Sequence, residues 1–213
     1  MSNEITNSKN NGSFDFNAFI NESKETILNP KSYFAALKTT GGMTDPLIKA
    51  IVYGAIAGIF TFLWSIFDIG ASTGGLFGGS AGAMALIWSI IGAVIGLFIG
   101  AVVLLIISAI CSGSTDFESN VRVTAPLMVL LPVNAALGFF NGISPYLSFI
   151  ISFLVGLYGL WMLYNALTET LKAKQKTAKI VCYVLAALSL LGTMNSMAAL
   201  KKASAFVNMF QGL

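Results

Sequence analysis

The chain has 213 residues, 56% of them hydrophobic and 10% charged, with a net charge of +3, two cysteines and no histidine. Soluble domains carry about a quarter charged residues, so this composition excludes an ordinary water-soluble fold. A membrane β-barrel is excluded as well, because no alternating ten-residue segments appear.

Residues 1–15 are rich in Asn and Ser and cannot bury enough surface to offset chain entropy, so a disordered tail is expected. Between residues 16 and 40, Phe16, Phe19, Ile20, Ile27, Leu28, Tyr33, Phe34 and Leu37 recur beside lysines and glutamates. This pattern predicts two short amphipathic helices broken at Asn29-Pro30, with Asn29 capping and Pro30 in the first helical position. Such a segment fits two places: flat on the cytoplasmic leaflet with Lys31 and Lys38 near headgroups, or packed against the end of a helix bundle. No cleavable signal peptide is visible, so the first span is expected to act as the insertion signal.

Five long apolar runs follow, at about 47–67, 83–110, 119–140, 146–168 and 178–200, within a domain at 46–200 and before a short tail at 201–213. A hydrocarbon core about 30 Å thick needs roughly 20 helical residues, and each run meets that. From Ala50 to Thr168 only Asp68, Asp116, Glu118 and Arg122 are charged, and each lies where a run begins or ends. The fold class is therefore all-α: a polytopic membrane protein of five transmembrane helices with an N-terminal amphipathic cytoplasmic segment.

Helix caps account for most of the ionisable groups. Asp45-Pro46 and Ser144-Pro145 read as N-cap and first-position pairs for the first and fourth spans. Thr115 and Glu118 have capping-box spacing for the third, and Asp116 adds favourable charge at that helix start. Arg122, one turn in, is expected to snorkel to phosphates or to pair with Glu118 on the same face. Lysines set the orientation, since positive segments stay cytoplasmic. Lys24, Lys31, Lys38 and Lys49 precede the first span, and Lys172, Lys174, Lys176 and Lys179 fill the gap before the fifth. The N-terminus is thus expected inside and the C-terminus outside, with Lys201 and Lys202 as the exception. Cys111 and Cys182 then fall near cytoplasmic helix ends, where no disulfide is expected.

Inside the membrane the polar residues are neutral. Asn134 follows Pro132, which deprives a carbonyl one turn back of its partner, and Pro126 loosens the same helix. A kinked third span is predicted, with Asn134 bonding to a neighbouring helix or lining a path. Gly54 and Gly58 in the first span, and Gly92, Gly96 and Gly100 in the second, repeat at four-residue spacing and let helices approach closely. Packing within the monomer is preferred over a homo-oligomer seam, though the stripe fits both. Gly74 to Gly82 reads as a flexible outer loop, because it lacks the Gly-Lys-Ser/Thr ending of a phosphate cradle.

Catalysis has little to work with: no histidine, no metal-ligand spacing and no carboxylate pair at membrane depth. No cofactor, metal or nucleic-acid partner is expected. The expected function is to organise membrane or bind a membrane or cytoplasmic protein partner without catalysis, through the cytoplasmic face. Tyr33, Phe34 and Lys38 on the interfacial helix, with Glu118 and Arg122 at the mouth of the third span, are the candidate interaction residues. The alternative is a permease, channel subunit or exporter accessory, with the third span and the Gly-rich second span lining a path.

The order of features resembles a known family. Asn29-Pro30, Tyr33-Phe34, Gly41-Gly42 and Pro46-Leu47 in succession look like the start of a Yip1-domain protein. The segment Cys111 to Arg122, reading CSGSTDFESNVR, is similar to the small-residue, aromatic and arginine stretch that opens that family's third span. Leu131-Pro132 and the later Gly156, Leu160-Trp161 and Leu167 fit bacterial members, and the likeness covers roughly Asn29 to Leu200. The resemblance implies five spans and a cytosolic N-terminal region. Eukaryotic members are implicated in vesicle traffic and Rab-type GTPase binding, but this chain lacks their Asp-Leu-Tyr-Gly-Pro signature, so GTPase binding is carried to no residue. The closer likeness, to prokaryotic members, implies a cytoplasmic (plasma) membrane location and an accessory role.

Overall fold

The computed structural model describes residues 15–67 and 78–211. Its helices are α1 (Phe16–Leu28), α2 (Pro30–Ala36), α3 (Thr44–Ile66), α4 (Gly78–Ile110), α5 (Phe117–Leu127), α6 (Leu130–Leu137), α7 (Phe140–Ile143), α8 (Pro145–Asn165) and α9 (Gln175–Gln211), with a π-helical turn at Ala166–Thr170. There is no strand among the described residues. Five segments are long and apolar enough to cross a bilayer: Thr44–Ile66, Leu86–Ile110, Phe117–Ile143, Pro145–Thr170 and Gln175–Lys202. The protein is an integral, multi-pass, all-α membrane protein.

Of the two places open to the N-terminal segment, it takes the second. Asp15 caps α1 by accepting from the amides of Asn17 and Ala18 at 2.9 and 3.0 Å. The chain breaks at Asn29-Pro30, as the proline spacing predicts, and α2 packs onto the π-turn and α8. Phe34 is fully buried there, and the Thr170 hydroxyl donates to its carbonyl at 2.5 Å. The Tyr158 hydroxyl donates to the Ile27 carbonyl, which ties the end of α1 to α8. We call this the capped end of the bundle.

The third span is broken twice. Pro132 has no amide hydrogen for the Met128 carbonyl, which accepts instead from Leu131 at 2.9 Å, and the helix tightens between α5 and α6. The second break, at Gly138-Phe139, carries no proline. Here the Trp64 indole donates to the Ala135 carbonyl at 2.8 Å, and its ring lies 3.3 Å from where a Cβ on Gly138 would stand.

Several sequence expectations shift. Residues 78–82 form the first turns of α4 rather than loop, while residues 74–77 lie outside the described residues, as does the tail at 1–14. α9 runs on to Gln211 instead of ending at Leu200, because no Pro or Gly interrupts residues 201–211. The N-cap of α3 is Met43, which leaves Asp45 in the first turn. Asp116, not Thr115, caps α5, accepting from the Ser119 amide at 2.8 Å and hydroxyl at 2.7 Å. These two bonds hold its carboxyl below the usual carboxylate range. Ser144 does cap α8, at 3.5 Å from the Leu147 amide.

Buried residues concentrate at the capped end. Phe34, Tyr53, Cys111, Val123, Met162, Leu167 and Leu171 form one cluster, and Ala50, Leu97, Ala101, Val121 and Ala125 a second. α6 and α7, toward the opposite end, bury nothing.

Candidate functional site

Several chain segments bond to one another through polar groups at the capped end, and of the buried side-chain polar atoms among the described residues the Asn120 Oδ1 makes no hydrogen bond. Residues 37–43 link α2 to α3 and turn at Gly41 and Gly42, with φ of +129° and +83°. L side chains rarely adopt that region, which is why two glycines stand together here. The turn points both amides at Glu118, whose Oε1 accepts from Gly41 at 2.8 Å and Gly42 at 2.6 Å. One turn on, Arg122 donates through Nε to the Lys38 carbonyl and through Nη1 to the Gly42 carbonyl, both at 2.8 Å. Its Nη2 lies 3.8 Å from Asp45. The planar guanidinium suits this divided task, since its donors diverge in a fixed fork.

Glu118 and Arg122 therefore do not pair with each other, and Arg122 does not snorkel. Its side chain is 11% exposed, covered by the 38–42 loop that accepts its hydrogen bonds. Freed from capping by Asp116, Glu118 acts as an anion for two backbone amides.

The segment from Cys111 to Asn120 makes a second junction. Ser112 and Lys172 both have positive φ, 57° and 55°, where the chain leaves α4 and the π-turn. The two loops then pair: the Ser114 amide donates to Leu171 at 2.8 Å and the Lys174 amide to Cys111 at 2.9 Å. Gly113 permits the approach, since a Cβ there would stand 2.6 Å from the Ser108 hydroxyl and 2.9 Å from the Leu171 carbonyl. Asn120, fully buried, donates to the Ser114 and Asp116 carbonyls.

A third junction holds α1 to α3. Glu22 accepts from Lys49 and from the Tyr33 hydroxyl, each at 2.5 Å, and Ser23 hydrogen-bonds the Tyr53 hydroxyl at 2.8 Å. Burial, and then the Glu22 charge, pushes the Tyr33 phenol well above its ordinary range. Lys49, read from the sequence only as a marker of orientation, is 9% exposed. Its spacing from Glu22 gave no sign of the pair, because the two lie on different helices.

Of the five candidate interaction residues, Tyr33 and Phe34 are buried and structural, and Glu118 and Arg122 are spent on the loop. Only the Lys38 ammonium is exposed. It borders a cleft of about 340 Å³ whose walls include Glu22, Glu25, Asp45, Lys49 and Arg122, three carboxylates facing three cations.

The small-residue positions divide as well. Gly54 and Gly58 lie against α4, where an added Cβ would come within 2.6 Å of Ala93 Cβ and 3.1 Å of Leu86 Cα. A Cβ added to Gly100 would stand 3.0 Å from the Thr124 methyl, whereas one on Gly92 or Gly96 would meet nothing within 4 Å. Those two glycines border a flank pocket of about 460 Å³ that reaches Asn134. Pro132 lies one turn from the break it causes and does not line it. Among the described residues no group of His, Cys, Asp or Glu could hold a metal ion.

A Yip1 domain model matches residues 24–195, from within α1 to within α9. No curated protein and no solved structure gives a match. The matched region takes in the first two junctions, the Tyr33, Lys49 and Tyr53 side of the third, four spans whole and most of the fifth, well over half of the sequence, and the chain belongs to the Yip1-domain family.

Proposed function

We propose that the protein works without catalysis, organising membrane or binding partner proteins through its capped end, which the lysine distribution assigns to the cytoplasm. The observation that supports this is the mixed-charge cleft beside Lys38, set on a face that three polar junctions hold in one arrangement. A fixed array of charges favours recognition of a complementary surface, because little ordering remains to be done on binding.

A photoreactive residue at Lys38 should cross-link a protein of defined mass in native membranes, while one at Ile143, exposed at the opposite end, should not. The competing reading, a permease or exporter accessory, draws on the flank pocket at Asn134. That pocket adjoins exposed Trp88 and Leu131 on the bundle's side, and its Ser89 and Thr124 hydroxyls already donate to the Gly54 and Asn120 carbonyls. If the purified protein in liposomes passes a solute or moves lipid at a rate abolished by Asn134→Ala, the non-transport reading fails.

A further inference from the structure

α9 packs mainly on α8, and between them runs a groove of about 330 Å³. One wall carries Leu157, Trp161 and Tyr164, the other Lys179, Tyr183 and Ala186. The groove is polar at one end only. Tyr164 and Lys179 lie near the capped end, while Leu157 and Ala186 stand seven residues further along their helices, about 10 Å deeper. Lys179 is exposed and makes no ion pair among the described residues.

Trp161 also borders a second hollow, of about 430 Å³, at the α1–α2 elbow, lined by Lys31 and the exposed Leu28. Lys31 likewise has no ion-pair partner among the described residues. The turn into α9 adds Lys172, Lys174 and Lys176, against the single carboxylate of Glu169. An apolar channel at membrane depth thus opens onto uncompensated positive charge at headgroup level.

We propose that the α8–α9 groove binds an anionic glycerophospholipid of the capped-end leaflet. One acyl chain lies along Leu157 and Ala186, the headgroup phosphate meets Lys179, and Lys31 reinforces the positive potential from the other side of Trp161. A second copy fits this surface poorly. Two copies inserted in the same direction and related by a two-fold axis through the groove would set one lysine-rich turn against the other.

The test uses the full chain as W64F/W88F, in phosphatidylcholine vesicles titrated with brominated phosphatidylglycerol or brominated phosphatidylcholine. Half-maximal quenching of Trp161 should need a several-fold lower mole fraction of the anionic lipid, and K31Q/K179Q should abolish the difference. Equal mole fractions, or a preference that survives K31Q/K179Q, would overturn the site. Native mass spectrometry of the unaltered chain, extracted from equimolar vesicles, avoids any loss of fold in the tryptophan variant. Excess retained phosphatidylglycerol supports the site and equal retention refutes it. A photoreactive residue in place of Tyr183 should yield a lipid adduct, and a cross-linked pair of chains would instead assign the groove to a second copy.

Discussion

Gly54→Ala tests the helix packing most directly. The new Cβ would stand 2.6 Å from Ala93 Cβ, 3.0 Å from the Ser89 carbonyl oxygen and 3.2 Å from Ile90 Cα. Carbon atoms pack at about 3.5–4.0 Å, so α3 and α4 would have to separate by about 1 Å. Overpacking of this kind costs about 1–3 kcal/mol. Separation also strains the bond from the Ser89 hydroxyl to the Gly54 carbonyl, now 2.8 Å long, and bonds between membrane helices average about 0.6 kcal/mol. Alanine returns up to about 1 kcal/mol of helix propensity, which leaves a net loss of about 1–3 kcal/mol. Gly92→Ala is the matched control: its Cβ meets nothing within 4 Å, so it should be neutral or slightly stabilising. The assay is the midpoint of loss of the monodisperse peak on heating in mild detergent. Equal destabilisation by the two variants would refute the packing argument and would mean that the Gly92 and Gly96 face is a closely packed seam between copies.

Four further outcomes are expected at the capped end. Gly113→Ala, whose Cβ would collide with Ser108 and the Leu171 carbonyl, should cost about 1–3 kcal/mol and speed maleimide labelling of buried Cys111 in a C182S background; an unchanged labelling rate would contradict the loop pairing. Arg122→Lys keeps the charge but loses the fork to Lys38 and Gly42, a loss of about 1–3 kcal/mol, and should accelerate proteolysis within residues 38–43. Glu118→Gln keeps an acceptor for the glycine amides and should accelerate it less than Glu118→Ala. The Tyr33 phenol is held above its ordinary value of 10.0 in the folded state, so the unfolded chain ionises first. Protection of α2 amides from hydrogen exchange should therefore be complete below pH 10 and fall as pH rises further, with a smaller fall in Y33F.

The membrane-spanning plan was legible because it rests on length and composition, which need no knowledge of contacts. The Asn29-Pro30 break and the Ser144-Pro145 cap were legible for a similar reason, since each depends on neighbours in sequence. What could not be read is what depends on distant pairs. Glu118 looked like half of a capping box because Thr115 stands three residues earlier, but Asp116 is the stronger acceptor and takes that role. Gly41-Gly42 showed a turn without showing which side chains it faced. The break at Gly138 was hidden because no proline marks it, and the Trp64 indole that bonds to the Ala135 carbonyl beside it lies on another helix. Phe34 reads from the sequence as a candidate interaction residue for the same reason: an amphipathic face does not say whether lipid, a partner or the chain's own bundle covers it.

The polar bonds at the capped end compete with water, and each contributes on the order of 1 kcal/mol. They persist because Phe34, Val121, Val123 and Leu167 are wholly buried beside them and fix the backbone that carries them. Arg122 stands between these layers, with two donors committed at 2.8 Å and the third contact, to Asp45, at 3.8 Å. Asp45 is 65% exposed and forms part of the cleft wall, so it can exchange partners without unfolding anything. A cationic group entering the cleft would meet Asp45 first, and an anionic one would meet Lys38. On the proposed partner-binding reading, either can bind while the Gly41-Gly42 turn stays clamped, so recognition does not require the cap to open.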